Sequence, residues 1–421
     1  GAEPCVGDGV RSAATFALTP RSSSVGAATA GGAGERGVRV HRMDTPWAGG
    51  LPVNPFAPPE VARRLSAGGF DVAHVHMGVV SPFAWDMAGV TTRLGLPTAL
   101  TWHCVLDRAA RPLGPVVRRW VERGAVLSAV SGFAARGVRT AAKGAPVAVL
   151  PNGIDPTFWR PSTPSPREST TPTRPVRLVT ATRLAPRKRV GALLSVVAAA
   201  RRRLGPGAMT LDVYGEGPLR PWLEARVSAL RLDDTVRLRG RVTRPELAAA
   251  WARADGYLSP TRLEAFGIAA LEARTAGLPV IARADSGVRE VVTDGVSGLL
   301  APDDSGLADA LVRLVADDTL RTRIAAHNRR VPPAQTWDRV VALLPSRGDG
   351  DPMTNAAAGC LVAVSVAQAS GAVQQRRGAR GAADPARLAL ARLSGGRVQL
   401  QPRSGSGGGG RLRARPRRAG G

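Results

Sequence analysis

Cysteine is nearly absent: Cys5, Cys104 and Cys360 stand far apart in a chain of 421 residues. That spacing excludes a disulfide scaffold and a cysteine zinc site, and a reducing, cytoplasmic setting is the expectation. No apolar run reaches the ~18 residues that a membrane-spanning helix needs. The first residues lack a basic start and an apolar core segment, so no signal peptide is expected. Lysine is almost missing as well. Of 58 basic residues only Lys143 and Lys188 are lysine, and the other 56 are arginine. A surface selected for phosphate contact would mix the two, whereas Arg, Ala, Gly and Pro bias is that of GC-rich coding. The formal charge of +26 therefore says little by itself about nucleic acid. With 44% hydrophobic residues the chain can bury a large core and is not wholly disordered.

The charge is uneven. Residues 346–421 hold 13 Arg against Asp349, Asp351 and Asp384, a net +10, which leaves +16 on the rest. Residues 1–34 show no sustained period, only Gly, Ala and Ser with scattered Arg. Both ends share this bias, and two readings stay open for them: flexible basic extensions, or coding read out of frame. Between them, strand-like stretches (38–41, 71–76, 97–102, 125–130 and 147–150) alternate with helical ones (59–65, 81–94, 112–122 and 132–142). Pro161–Pro175 then carries five prolines and little apolar content, the mark of an exposed interdomain linker. A second series follows, with strands at 176–182, 210–214, 235–238, 256–259, 279–282 and 298–300 and a long helix over 190–204. This pattern predicts an α/β protein of two doubly wound, Rossmann-like domains facing a cleft, where such sheets bind ligands. The domains expected are 35–160 and 176–330, with a terminal helix over 331–345 crossing back and a basic tail over 346–421.

The most informative segment runs from Ser259 to Glu272, SPTRLEAFGIAALE. It reads as a strand end, a loop, and a helix beginning near Glu264. On that reading Glu264 and Glu272 lie about 12 Å apart along the helix and only ~80° apart around it. The backbone at Phe266 and Gly267 would offer first-turn N–H groups to an anion. An amphipathic helix with solvated glutamates meets the same pattern. Thr182–Val190, TRLAPRKRV, follows the first strand of the second series directly. Arg183 at the strand's end and Lys188 opening the next helix suit a diphosphate, and a solvated basic loop is the alternative.

These segments, with the TAGLPVIARADSGVREVVTDGVSGLL stretch after them, resemble the retaining GT-B glycosyltransferases of family 4, group 1. Seven motifs stand in the expected order: AHVHMG (73–78), TALTWH (98–103), AVSGFA (129–134), PNGID (151–155), TRLAPRKRV (182–190), YGEGP (214–218) and LRGRVTRPEL (238–247). The resemblance implies transfer of a sugar from a nucleotide-sugar donor (UDP-, GDP- or ADP-sugar) with no metal or other cofactor required. It implies that Glu272 holds the ribose hydroxyls and Glu264 those of the transferred sugar. Arg183 and Lys188 would bind the diphosphate, helped by the backbone at Phe266 and Gly267. His103 would lie near the reactive carbon and the acceptor. Gly215, Arg239 and Gly240 would frame the base, and Ser286 and Gly287 are further donor-site candidates. Asn152 and Asp155 take a structural part at the interdomain crossing.

The acceptor is unidentified: lipid-linked, a glycan or a small molecule. A peripheral contact with an anionic membrane surface fits the remaining charge, and no nucleic-acid partner is expected. Residues 1–34 offer neither the hydrophobic opening strand nor the glycine-rich loop of the family, so the acceptor half is expected to be incomplete. His74 and His76 are read as facing opposite sides of a strand, which speaks against a two-histidine metal site. Asp349-Gly-Asp351 lies in the irregular tail and is given no role. The alternatives are a GT-B phosphorylase or sugar-phosphate synthase, an inactive nucleotide-binding relic, and a nucleic-acid binder acting through its basic tail.

Overall fold

The computed structural model describes residues 13–18, 38–42, 56–68, 70, 72–79, 81–161, 175–343, 361–366 and 398–400. The first unit runs β1 (Ala13–Leu18), β2 (Val38–Arg42), α1 (Ala57–Ala67), β3 (Val72–Met77), α2 (Pro82–Arg93), β4 (Thr98–Trp102), α3 (Ala110–Glu122), β5 (Val126–Ala129), α4 (Gly132–Ala141), β6 (Val147–Val149) and α5 (Pro156–Trp159). The second runs β7 (Val176–Ala181), α6 (Val190–Leu204), β8 (Met209–Tyr214), α7 (Arg220–Ala229), β9 (Val236–Gly240), α8 (Arg244–Arg253), β10 (Gly256–Ser259), α9 (Ile268–Thr275), β11 (Val280–Arg283), β12 (Gly298–Ala301), α10 (Asp304–Ala316), α11 (Asp318–Arg330) and α12 (Trp337–Val341). Two late strands, β13 (Leu361–Val366) and β14 (Val398–Leu400), return to the first sheet.

Local chemistry accounts for many boundaries. Pro82 occupies the first turn of α2, where a missing N–H costs nothing. Ser131 caps α4 by accepting the Ala134 N–H at 2.9 Å. Thr243 and Glu246 form a reciprocal capping box at α8. β3 is buried at every position, as a central strand of a parallel sheet should be.

The second sheet has the order β12-β11-β10-β7-β8-β9, with every described pair parallel. Its order reverses between β7 and β10, so the loops leaving those two strands diverge and open a crevice at their carboxyl ends. The first sheet has the order β2-β1-β14-β13-β3-β4-β5-β6.

Two expectations about the chain ends need correction. Residues 1–34 do contain a strand: β1 pairs in parallel with β2, from Ala13↔Val38 to Ala17↔Arg42. Its alanine-rich sequence carries little intrinsic strand signal, and its pairing partners supply the rest. The basic tail likewise contributes β13, which lies parallel to β3 with Leu361 opposite Val72. The glycine-rich loop expected after the opening strand, the Pro161–Pro175 linker apart from its two ends, and Asp349-Gly-Asp351 lie outside the described residues.

The two units share an interface. One apolar cluster continues from Val130 and Ala134 of the first into Ala265, Phe266 and Val288 of the second. The PNGID segment docks on the returning chain through Ile154 N–H to the Gln335 carbonyl (2.9 Å) and Trp337 N–H to the Ile154 carbonyl (3.2 Å). Asp155 caps α5 by accepting the Thr157 N–H at 2.9 Å, and Asn152 is buried beside it.

Candidate active site

The crevice wall is built backbone against backbone. Thr182 N–H bonds the Tyr214 carbonyl at 2.9 Å, Leu184 N–H the Glu216 carbonyl at 3.0 Å, and Gly215 N–H the Gly240 carbonyl at 2.8 Å. Gly215 has φ 131°, and a Cβ there would overlap the Thr182 carbonyl oxygen. Only glycine lets the β7 and β8 loops approach this closely. Gly240 takes the left-handed region at φ 75°, where its missing side chain leaves room for the Glu216 carboxylate.

Lys188 does not open a helix. It ends a short 3-10 turn, and Arg189 follows in the left-handed region at φ 55° before α6 begins. That conformation costs a non-glycine residue about 1–3 kcal/mol. The Arg189 guanidinium offsets it with a fork onto Asp304 (3.0 and 2.7 Å) and a bond to the Pro260 carbonyl (3.2 Å). The turn is thereby tied to the loop after β10. Lys188 Nζ donates to Glu264 Oε2 at 2.7 Å across the crevice. Arg183 stands exposed at the rim and has no ion-pair partner among the described residues.

Glu264 is not on the helix either. The chain from Pro260 to Gly267 is irregular, and Gly267 at φ 90° caps α9, which begins at Ile268. The shared helical face expected for the two glutamates therefore does not exist, and a loop carries Glu264 to Lys188. Ser286 and Gly287 support that loop from beneath. Gly287 N–H bonds the Glu264 carbonyl at 2.8 Å, and a Cβ at Gly287 would overlap the Ala265 carbonyl. Ser286 is fully buried, donates to the Arg283 carbonyl at 2.8 Å, and offers no surface to a ligand. Phe266 is buried in the interface cluster, which leaves its backbone rather than its ring for the site.

Glu272 lies in the second turn of α9 with 13% of its side chain exposed, 4.0 Å from Arg244. Burial pushes its carboxyl up to about 8, and Arg244 pulls the other way. The Arg244 guanidinium also lies over the rings of Phe158 (5.0 Å) and Trp159 (5.4 Å), at the end of the first unit. Arg239 is engaged elsewhere, in a fork onto Asp212 at 2.9 and 3.2 Å. Tyr257, beneath both glutamates, has its hydroxyl pushed well up, by burial first and by their charges second.

The opposite wall belongs to the first unit. His74 and His76 face the same side of β3, with ring centroids 4.4 Å apart, because residues two apart on a strand share a face. His76 Nδ1 lies 2.7 Å from His103 Nε2 on the adjacent loop. No cluster of three ligating side chains occurs among the described residues. Burial pushes the Cys104 thiol up to about 12, against a hydrogen bond from the Val79 backbone and the charge of Arg187. The two walls are joined directly. Ser131 Oγ donates to the Ala265 carbonyl, and Glu290 accepts the Gly132 and Phe133 N–H groups at 2.9 and 2.7 Å. Sequence reasoning missed His76, Arg244 and Glu290. Strand periodicity could have found His76; the other two act through neighbours remote in sequence.

Two family models match in tandem: Glycosyltransferase Family 4 over residues 15–158 and Glycosyl transferases group 1 over residues 175–317. Glycogen synthase of Mycobacterium tuberculosis is 34% identical over 218 residues, which are 49% of this chain and 51% of that protein. The chain thus spans about half the length of that relative. Phosphatidyl-myo-inositol mannosyltransferase of Mycobacterium leprae is 30% identical over 305 residues, 69% of this chain and 76% of that protein. Among solved structures, Anabaena HepE in complex with UDP and glucose superposes with a TM-score of 0.58 at 20% identity, covering 72% of this chain and 83% of that one. At that identity the likeness is one of fold.

Proposed function

The chain belongs to the family 4, group 1 glycosyltransferases of GT-B fold, and from its crevice we propose that it moves a sugar from a nucleotide-sugar donor with retention of configuration. The observation that carries this is the Lys188–Glu264 pair at 2.7 Å beside the desolvated Glu272, at the point where the second sheet reverses. In this reading the cation takes the diphosphate, Glu264 the sugar and Glu272 the ribose.

The donor's diphosphate takes the place of the Glu264 carboxylate at Lys188, with Arg183 and the backbone N–H groups at the start of α9 completing its neutralisation. Glu264, released, turns to the hydroxyls of the sugar, and Glu272 accepts the ribose diol. As the glycosidic bond breaks, charge grows on the leaving phosphate, where these cations stabilise it more than in the ground state. The acceptor attacks on the same face, with His103 on the facing wall. No protein carboxylate is required to attack the sugar.

The HepE complex holds UDP and glucose, and UDP-, GDP- and ADP-sugars are the donors to try first. Relatives named for glycogen and for phosphatidyl-myo-inositol suggest a polyhydroxylated acceptor, glycan or lipid-linked. A peripheral seat on an anionic membrane surface, on the cytoplasmic side, fits the exposed Arg111 and Arg119 on α3 and Arg123 just past its end. No helix among the described residues is long and apolar enough to cross a membrane.

The test is NMR of the first-formed product from an α-linked donor. Acceptor-dependent nucleotide release with an α-linked product supports the proposal. A β-linked product would exclude retention. Transfer only to inorganic phosphate would point to a phosphorylase, and transfer only to a sugar phosphate would point to a sugar-phosphate synthase.

A further inference from the structure

Three histidines line one face of the first sheet in two rows. His74 Nε2 lies 2.6 Å from Thr101 Oγ1, which lies 2.7 Å from Ser128 Oγ. The second row is His76 and His103, joined at 2.7 Å. His74 and His76 are buried, while His103 is half-buried at the cleft.

Burial holds all three rings below the ordinary imidazole range, His74 at about 3 and His103 at about 4. Burial, then the charges of its two neighbours, keeps His76 well down as well. Each ring is therefore neutral near pH 7 and carries one proton. A single proton sits in the His76 Nδ1–His103 Nε2 contact, and two arrangements can supply it.

If His103 donated from Nε2, His76 would accept at Nδ1 and its own proton would sit on Nε2. That atom is buried and has no hydrogen-bond partner among the described residues. A buried N–H with nothing to receive it bears its full desolvation penalty. If instead His76 donates from Nδ1, only a lone pair is left on Nε2, and an orphaned acceptor is the more tolerable of the two.

We propose that His76 is a positioning residue: its Nδ1–H donates to His103 Nε2 and fixes His103 as the Nδ1–H tautomer, a neutral hydrogen-bond donor toward the cleft. His103 then cannot take a proton from the acceptor, because one ring nitrogen is already protonated and the other is occupied. It meets a substrate oxygen as a donor. The tautomer stands on the 2.7 Å contact and the orphaned Nε2 between neutral, buried rings; only the nature of the oxygen rests on the glycosyl-transfer reading above.

The test has two arms. Ring-nitrogen NMR of the full chain labelled with 15N-histidine, assigned with the His76→Asn variant, should show His76 and His103 both protonated at Nδ1. A proton on Nε2 of either ring would overturn the proposal. In steady-state kinetics, His76→Leu should lower kcat by about ten- to a hundredfold with donor KM little changed, the scale taken from metal-bound histidines that lose an orienting partner. His76→Asn, which keeps an N–H near the Nδ1 position, should restore most of the turnover. A loss confined to KM, or no rescue by asparagine in a folded protein, would overturn it too. Wild-type chain that transfers no sugar would count against the proposed function, and the ring-nitrogen spectrum would still decide the tautomer.

Discussion

Replacing Glu272 with glutamine keeps the side chain's shape and removes its titration. Burial in the folded protein holds this carboxyl at about 8 against an ordinary 4.5, and Arg244 offsets part of that. The folded chain thus keeps a proton that the unfolded chain releases, so stability falls as pH rises between those values. Below 4.5 both states are protonated and nothing is lost; above about 8 both are ionised and the whole cost stands. At 1.36 kcal/mol per pKa unit that cost is on the order of 5 kcal/mol. It is an upper bound, because 13% of the side chain reaches water. Urea unfolding of both proteins near pH ~5 and pH ~9 measures it. Glu272→Gln should match the wild type at the lower pH and exceed it by several kcal/mol at the higher. Parallel pH profiles would refute the claim that this carboxyl is desolvated. The same group should also report the nucleotide. Ribose hydroxyls bonding to it favour its charged form, so binding near pH 7 should release close to one proton. Calorimetry in buffers of different ionisation enthalpy reads that release, and none would remove Glu272 from the ribose site.

Lys188→Ala should lower turnover more than donor affinity, by at least about tenfold in kcat, because charge on the leaving phosphate grows in the transition state. Weaker donor binding with turnover intact would confine Lys188 to the ground state. Glu290→Gln removes the charge from two bonds that hold the start of α4 to the second unit. A loss of about 1 kcal/mol and a larger radius of gyration by X-ray scattering are expected, and an unchanged radius would dismiss Glu290 as an interdomain latch. Gly215→Ala places a methyl on the Thr182 carbonyl at a φ that alanine rarely adopts, so a loss above about 2 kcal/mol and weakened nucleotide binding should follow. A neutral alanine would mean the two loops are not locked together.

Most of the architecture was legible because it rests on alternation: apolar strand cores, amphipathic helices and glycine or proline between them. Candidate site residues could be named from the sequence, but their geometry could not. Glu264 reads as helical because most of Glu264–Glu272 is helix-forming, yet Gly267 takes a left-handed conformation and the helix starts four residues after Glu264. His74 and His76 were separable on paper only by a misapplied period. Strand β1 was hidden because Ala13-Ala14-Thr15-Phe16-Ala17-Leu18 is weak in branched side chains, and its place is set by partners on β2, β13 and β14. The forks from Arg239 to Asp212 and from Arg189 to Asp304 join residues 27 and 115 positions apart, beyond any local signal.

The most direct test of the whole account is a panel of UDP-, GDP- and ADP-sugars scored by the protein's thermal stability, run on the wild type and on Glu272→Ala. A ligand at ~100 times its dissociation constant adds ~2.7 kcal/mol to the state that binds it. One nucleotide class should raise the melting temperature of the wild type, and the variant should need at least about tenfold more ligand for the same rise, since bonds to a charged carboxylate are worth ~1.5–3 kcal/mol. A flat response across the panel, or equal stabilisation of both proteins, would contradict a nucleotide-sugar site at this crevice.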